Sequence, residues 1–177
     1  PVKKVAALLA RFAAPALTLE VEDMNFPGNF GVAAASGRKV LIQGAVPGDR
    51  VRVQVVGEPS GVPRGEVLRL ERPSPDRVEP RCPHFGACGG CLYQNLAYEK
   101  QLELKSRHLG RLLEKEGLCR LGAARPDPVT PSPEIYRYRN KMEFAFAERW
   151  GELVIGLRER GDPARKSRGR TVGLSQC

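Results

Sequence analysis

Three cysteines within ten residues constrain this 177-residue chain more than any other feature. Cys82, Cys88 and Cys91 form the pattern Cys-x5-Cys-Gly-Gly-Cys. Gly89 and Gly90 carry no side chains, so the backbone can fold tightly there and aim three thiolates at one point. Such a thiolate cage suits zinc or an iron–sulfur cluster. Zinc ribbons usually pair two short Cys-x2-Cys knuckles, and only one is present. A third close ligand at a five-residue gap is awkward for zinc and easier for a cubane, whose irons are spread apart. Disulfides fit less well, because the cysteine count is odd and no secretory signal is evident. The Cys-x3-Cys-x2-Cys pattern of radical enzymes is absent. His84 sits between candidate ligands; a histidine there is more often a loop residue than a ligand. On these residues alone, cluster and zinc both stay open.

Charge points toward a polyanion. Lys and Arg total 29 against 20 Asp and Glu, a net charge of +9. The excess concentrates in residues 137–177, which hold ten basic and five acidic groups. A positive surface raises the local concentration of a polyanion and speeds its capture. No apolar run approaches the roughly 18 residues that span a bilayer. The apolar part of the opening stretch, Val2 to Arg11, is too short for a signal peptide. A cytoplasmic location and no membrane partner are therefore expected. The chain begins at Pro1 rather than Met, so residues are expected to be missing.

Strands, linkers, a helix and a hairpin follow the extension at 1–16. Residues 17–70 read as short strands of period two: Leu17, Leu19 and Val21, then Val40 to Ile42, then Val51, Val53 and Val55, then Val67, Leu68 and Leu70. Pro27-Gly28-Asn29, Ser36-Gly37, Pro47-Gly48-Asp49 and Pro59-Ser60-Gly61 mark turns. Four or five strands in this length favour a small closed barrel, since closure removes exposed edges. Residues 72–81 carry three prolines and read as a linker. Residues 96–116 read as a helix with Leu102, Leu109, Leu112 and Leu113 on one face and Gly117 as a stop. After a second Pro-rich connector, 126–133, the stretch Met142 to Leu157 reads as a hairpin turning at Trp150-Gly151. The basic tail 158–170 reads as a loop. The expected fold class is thus mainly β with α: a small closed barrel followed by a smaller segment of helix and hairpin.

The run Arg81-Cys82-Pro83-His84-Phe85-Gly86-Ala87-Cys88-Gly89-Gly90-Cys91-Leu92-Tyr93-Gln94 resembles the cluster motif of bacterial RNA 5-methyluridine methyltransferases. The likeness continues through Tyr98-Glu99-Lys100-Gln101-Leu102-Glu103-Leu104-Lys105. It resumes at Ser132-Pro133 and at Tyr136-Arg137-Tyr138-Arg139-Asn140-Lys141-Met142-Glu143-Phe144. Residues 17–75, with Gly44-Ala45-Val46-Pro47-Gly48-Asp49-Arg50-Val51 near their middle, resemble a TRAM domain, a small OB-like barrel that contacts RNA. The 23S ribosomal RNA branch is the nearest, since the transfer-RNA branch generally lacks both barrel and cluster.

The resemblance implies a TRAM barrel at 17–75 and an iron–sulfur central domain at 76–177. It implies a [4Fe–4S] cluster held by Cys82, Cys88, Cys91 and a remote fourth ligand, Cys177. Cys119 matches nothing in the motif and reads as an ordinary helix-end residue. The family continues into an S-adenosylmethionine domain with the catalytic cysteine and general base. Here the chain stops at Cys177, so no catalytic or S-adenosylmethionine-binding residue is expected in it, and the fragment alone is expected to be inactive. The implied reaction is methyl transfer to uracil C5 in ribosomal RNA through a cysteine adduct at C6. This part would recognise the RNA, with no obligate protein partner and as a monomer. Candidate contacts are Phe26 and Phe30 for base stacking, Arg38 and Lys39 in a turn, and Arg137, Arg139 and Lys141 on one strand face with Asn140 opposite. Arg168 and Arg170, with Arg165 and Lys166, lie in the basic loop. The competing readings are a non-catalytic RNA-binding iron–sulfur protein and a zinc-stabilised ribosome-associated factor.

Overall fold

The computed structural model describes residues 16–26, 30–57, 61–118, 127–160 and 170–177. The extension before residue 16, Cys119 and the loop cations Arg165, Lys166 and Arg168 lie outside these residues.

Alternating β-branched and polar residues build five strands: β1 Leu17–Met24, β2 Phe30–Ala35, β3 Arg38–Gln43, β4 Arg50–Gly57 and β5 Arg64–Arg72. They close into a barrel in the order β1-β2-β3-β5-β4. All neighbours are antiparallel except β3 and β5, which run parallel. This is a closed barrel, as the strand spacing predicts, and it is consistent with the OB-like barrel that the resemblance implies. Its interior is filled by the inward members of each alternation, among them Leu19, Val21, Val40, Ile42, Val51 and Val53. Ser36 and Gly37, both at positive φ, make the tight turn between β2 and β3.

The proline-rich stretch after β5 is not a free linker. Asp49, fully buried at the end of the β3–β4 connection, accepts hydrogen bonds from the Ser74 N–H (2.9 Å), the Val46 N–H (2.8 Å) and the Arg77 guanidinium (3.0 and 2.5 Å). Arg77 also donates to the Gly44 carbonyl at 2.9 Å, which Asn95 shares at the same distance. Val78 N–H bonds the Asn95 carbonyl and Ala97 N–H that of Asp76. Prolines removed regular pairing, and side-chain bonds to a buried carboxylate took its place.

Helix α1 spans Tyr98–Lys115, close to the expected limits. Its buried face is a correction: Leu104 and His108 turn inward, whereas Leu109 and Leu112 are exposed. Leu104 joins Met24, Val46 and Leu96 in a second core. His108 Nε2 lies 2.8 Å from the Met24 carbonyl oxygen, and Arg107 and Arg111 both pair with Asp23. A polar residue and two cations fix the docking face because the end of β1 offers them partners that an apolar stripe would not meet.

The hairpin comprises β6 Ala145–Arg149 and β7 Glu152–Arg158, turning at Trp150 and Gly151, both at positive φ. A short third strand, β8 Thr171–Gly173, pairs antiparallel with β7. Strand β6 starts at Ala145, not at Met142. Residues 137–141 form no strand, and Arg137 sits at φ 57°, which breaks extended backbone. The three cations there consequently share no strand face.

Candidate metal centre and nucleic-acid surface

The cysteine loop is held by its own backbone and by the strand-end beyond β7. Phe85 N–H donates to the Cys82 carbonyl (3.1 Å), Cys88 N–H to the His84 carbonyl (2.8 Å), and Cys82 N–H to the Gln94 side-chain oxygen (3.1 Å). Gly89 N–H then reaches the Arg158 carbonyl at 2.9 Å, and Arg160 N–H reaches the Ala87 carbonyl at 2.7 Å. Cys88 and Glu159 thereby form a single antiparallel bridge. The glycine pair makes this approach possible. A Cβ on Gly90 would stand 2.8 Å from Leu157 Cδ1, and one on Gly89 would stand 3.1 Å from the Arg158 carbonyl oxygen. Gly90 N–H also donates to Cys88 Sγ at 3.3 Å.

His84 links the loop to the segment that carries Cys177. Its Nε2 accepts from the Ser175 N–H at 3.1 Å and lies 3.0 Å from Ser175 Oγ. The ring is thus engaged with Ser175, two residues before Cys177. Cys82, Cys88, Cys91 and Cys177 are all free thiols; Cys88 is buried and Cys177 exposed. The four share one electrostatic neighbourhood. Partial burial raises the Cys177 thiol pKa, negative charge on Cys91, Cys82 and Cys88 raises it further, and Arg139 opposes the rise. Among the described residues, no three His, Cys, Asp or Glu side chains converge closely enough to hold a single metal ion.

An open cleft of about 560 Å³ runs along the glycine pair, lined among others by Gly90, Arg139, Lys141, Leu157 and Arg158. Arg139 donates to the Gly90 carbonyl at 3.4 Å, and Lys141 pairs with Glu143 at 3.3 Å. Arg137 and Asn140 are exposed but do not line the cleft. Arg170 is exposed, and its carbonyl accepts from the Glu159 N–H at 2.7 Å.

At the barrel, the two phenylalanines part company. Phe26 is 71% exposed, with its ring edge-on to His108 at 5.7 Å. Phe30 is 5% exposed and lies under the Arg64 guanidinium at 4.7 Å, so its ring offers no free face for a base. Arg38 and Lys39 are exposed, but they open strand β3 opposite Ala35 and Ala34 and do not lie in the turn. Arg38 donates to the Gly61 carbonyl at 3.3 Å.

No family model matches the chain. Individual relatives do. An uncharacterized RNA methyltransferase of Caldanaerobacter subterraneus subsp. tengcongensis is 42% identical over 149 residues, 82% of this chain and 32% of that protein. The 23S rRNA (uracil(1939)-C(5))-methyltransferase RlmD of Erwinia tasmaniensis is 35% identical over 162 residues, 91% of this chain and 35% of that protein. The same-named enzyme of Legionella pneumophila is 34% identical over 150 residues, 82% of this chain and 32% of that protein. The chain belongs to this RNA methyltransferase family. It spans about a third of the length of the curated relatives it matches.

Within this RNA methyltransferase frame, the four thiols are a donor set that fits an iron–sulfur group. All four are sulfur, none is in a disulfide, and a backbone N–H already points at one of the sulfurs. The sequence reading missed several residues that organise the site. Asp49 and Arg77 pin the segment leading to Cys82. Arg160, read as part of a loop, is buried against the cysteine loop. Only the Arg158-Glu159-Arg160 continuation of an apolar strand hinted at the last of these.

Proposed function

We propose that this chain is the RNA-recognition part of an S-adenosylmethionine-dependent 23S rRNA (uracil-5-)-methyltransferase. In this reading a TRAM barrel covers residues 17–75 and an iron–sulfur central domain covers 76–177. Cys82, Cys88, Cys91 and Cys177 hold a [4Fe–4S] cluster. The observation that carries the reading is the match across 91% of the chain to a protein named as a 23S rRNA uracil-C5 methyltransferase. The closed OB-like barrel and the four free thiols support it independently.

Methylation at C5 needs a thiolate to add at C6, the sulfonium methyl to move to C5, and a base to remove the C5 proton. Those groups belong to the S-adenosylmethionine domain that the resemblance implies. The residues of this chain bind and orient. Phe26 presents a ring to an unstacked base, where stacking is worth about 1–3 kcal/mol. Arg38, Lys39, Arg137, Arg170 and the cations of the cleft meet phosphates. A cluster fixed by a loop and a distant segment pre-shapes that surface. The protein works in the cytoplasm, on ribosomal RNA.

The test is binding of this chain, purified without oxygen, to a 23S rRNA fragment and to transfer RNA over a series of salt concentrations. Preferential, salt-dependent binding of the 23S fragment is expected. Iron and sulfide measured on the same sample decide the cluster, and Cys88→Ser should lose both metal and RNA affinity. RNA affinity unchanged in the metal-free variant would remove the structural role given to the cluster.

A further inference from the structure

Arg160 is a cation with no carboxylate to answer it among the described residues. It is 8% exposed, and its guanidinium stacks on the Phe85 ring at 4.6 Å. Nη2 donates to the Cys91 carbonyl, and Nε is buried without a hydrogen-bond partner. Among the described residues no Asp or Glu forms an ion pair with it. Burying an unpaired charge is costly unless something of opposite sign lies close. Neutral thiols carry no charge. Thiolates bound to an inorganic core do, and the whole assembly is an anion.

We propose that Arg160 is the counter-charge of the four-cysteine centre, compensating the net negative charge of the thiolate-bound cluster and thereby raising its reduction potential and its retention. The inference rests on the cluster reading above. Its sign follows from Coulomb's law: reduction adds one electron and makes the centre more negative, so a nearby fixed cation favours the reduced form. The placement is not incidental. Arg160 N–H bonds Ala87 and its Nη2 bonds Cys91, so one residue grips both flanks of the Cys88-Gly89-Gly90-Cys91 turn.

The experiment compares this chain with its Arg160→Met and Arg160→Lys variants, each loaded anaerobically with iron and sulfide and titrated with dithionite as the one-electron donor. Arg160→Met should titrate at a more negative potential and lose absorbance near 400 nm severalfold faster in air. Arg160→Lys should recover most of the potential, because charge is what it restores. Should Arg160→Met fail to fold, Arg160→Gln takes its place, keeping a donor for the Cys91 carbonyl, and the same shift is required. A neutral variant with wild-type potential and retention overturns the role of Arg160 while leaving the cluster standing. Parent protein that takes up neither iron nor sulfide overturns the cluster itself, and the counter-charge with it.

Discussion

The buried carboxylate of Asp49 and the guanidinium of Arg77 meet in a two-point ion pair, at 3.0 and 2.5 Å, across a sequence separation of 28 residues. The pair fastens the barrel to the segment that leads into the cysteine loop. Asp49 oxygens also accept the Val46 and Ser74 N–H groups, so the charge is satisfied from four sides. Breaking a buried pair from one side leaves the other charge uncompensated. Arg77→Met is therefore expected to cost about 3 kcal/mol, read as a lower urea midpoint at unchanged slope.

Asp23 gives the fold a pH signature. Burial raises its carboxyl pKa, but the Arg111 hydrogen bond, the Met24 N–H and the charges of Arg107 and Arg111 outweigh burial and hold it below the ordinary 3.8. A depressed folded pKa means stability that is present above the unfolded value and lost as pH falls through the folded one. Asp23→Asn should cost about 0.5–1 kcal/mol at neutral pH, the range for partly exposed ion pairs. The difference from the parent should begin to shrink as pH drops below 3.8 and vanish only below the depressed folded pKa, measured by denaturant unfolding at each pH.

Gly156 carries the most severe steric demand in the hairpin. A Cβ there would lie 1.8 Å from the Val172 carbonyl oxygen, which is backbone and cannot step aside. Gly156→Ala should push β8 off β7 at a cost of about 1–3 kcal/mol. Hydrogen exchange should show lost amide protection at Val172 to Leu174, with the barrel amides unaffected.

The two barrel phenylalanines should respond in opposite ways. Phe30→Ala removes a buried ring and should destabilise by about 3–5 kcal/mol. Phe26→Ala removes an exposed one, leaving stability nearly unchanged. Under the proposed function it should weaken binding of a uridine-rich single-stranded RNA by roughly 5- to 160-fold, the equivalent of one stacking contact. Fluorescence anisotropy with that RNA reads the second effect and urea unfolding the first.

Breaking the His84–Ser175 contact should loosen the approach to Cys177 without touching the barrel. His84→Phe keeps a ring of similar bulk and removes the acceptor for Ser175 N–H. The expected loss is about 1 kcal/mol, that of a single hydrogen bond. It would appear as faster exchange of the Ser175 amide.

Local rules made most of the fold legible. Period-two runs marked β1, β3, β4 and β5, apolar spacing marked α1, and Trp150-Gly151 marked the hairpin turn. Strand β2, Phe-Gly-Val-Ala-Ala-Ala, has too many small residues to show an alternation. Strand β8 has three residues and exists only because β7 is there to receive it. The packing of Pro73 to Pro80 was hidden because it depends on Asp49, a residue that looks like an ordinary turn aspartate until its partners arrive from far along the chain. The face of α1 was misread for a related reason: Asp23 and the Met24 carbonyl chose Arg107, Arg111 and His108, and periodicity counts only apolar residues. Of the proposed centre, the three clustered cysteines come from spacing and Cys177 only from resemblance. Arg160 left only its place just past the apolar strand β7 as a hint.

The tie between His84 and Ser175 spans 91 positions. A ribosome adding about 5–20 residues per second needs roughly 5–20 seconds to cover that distance. Under the proposed function, the nascent polypeptide throughout that interval displays three early sulfurs whose distant companion has not yet been made. Protection of those sulfurs from air and from one another in that window falls to whatever greets the chain as it emerges.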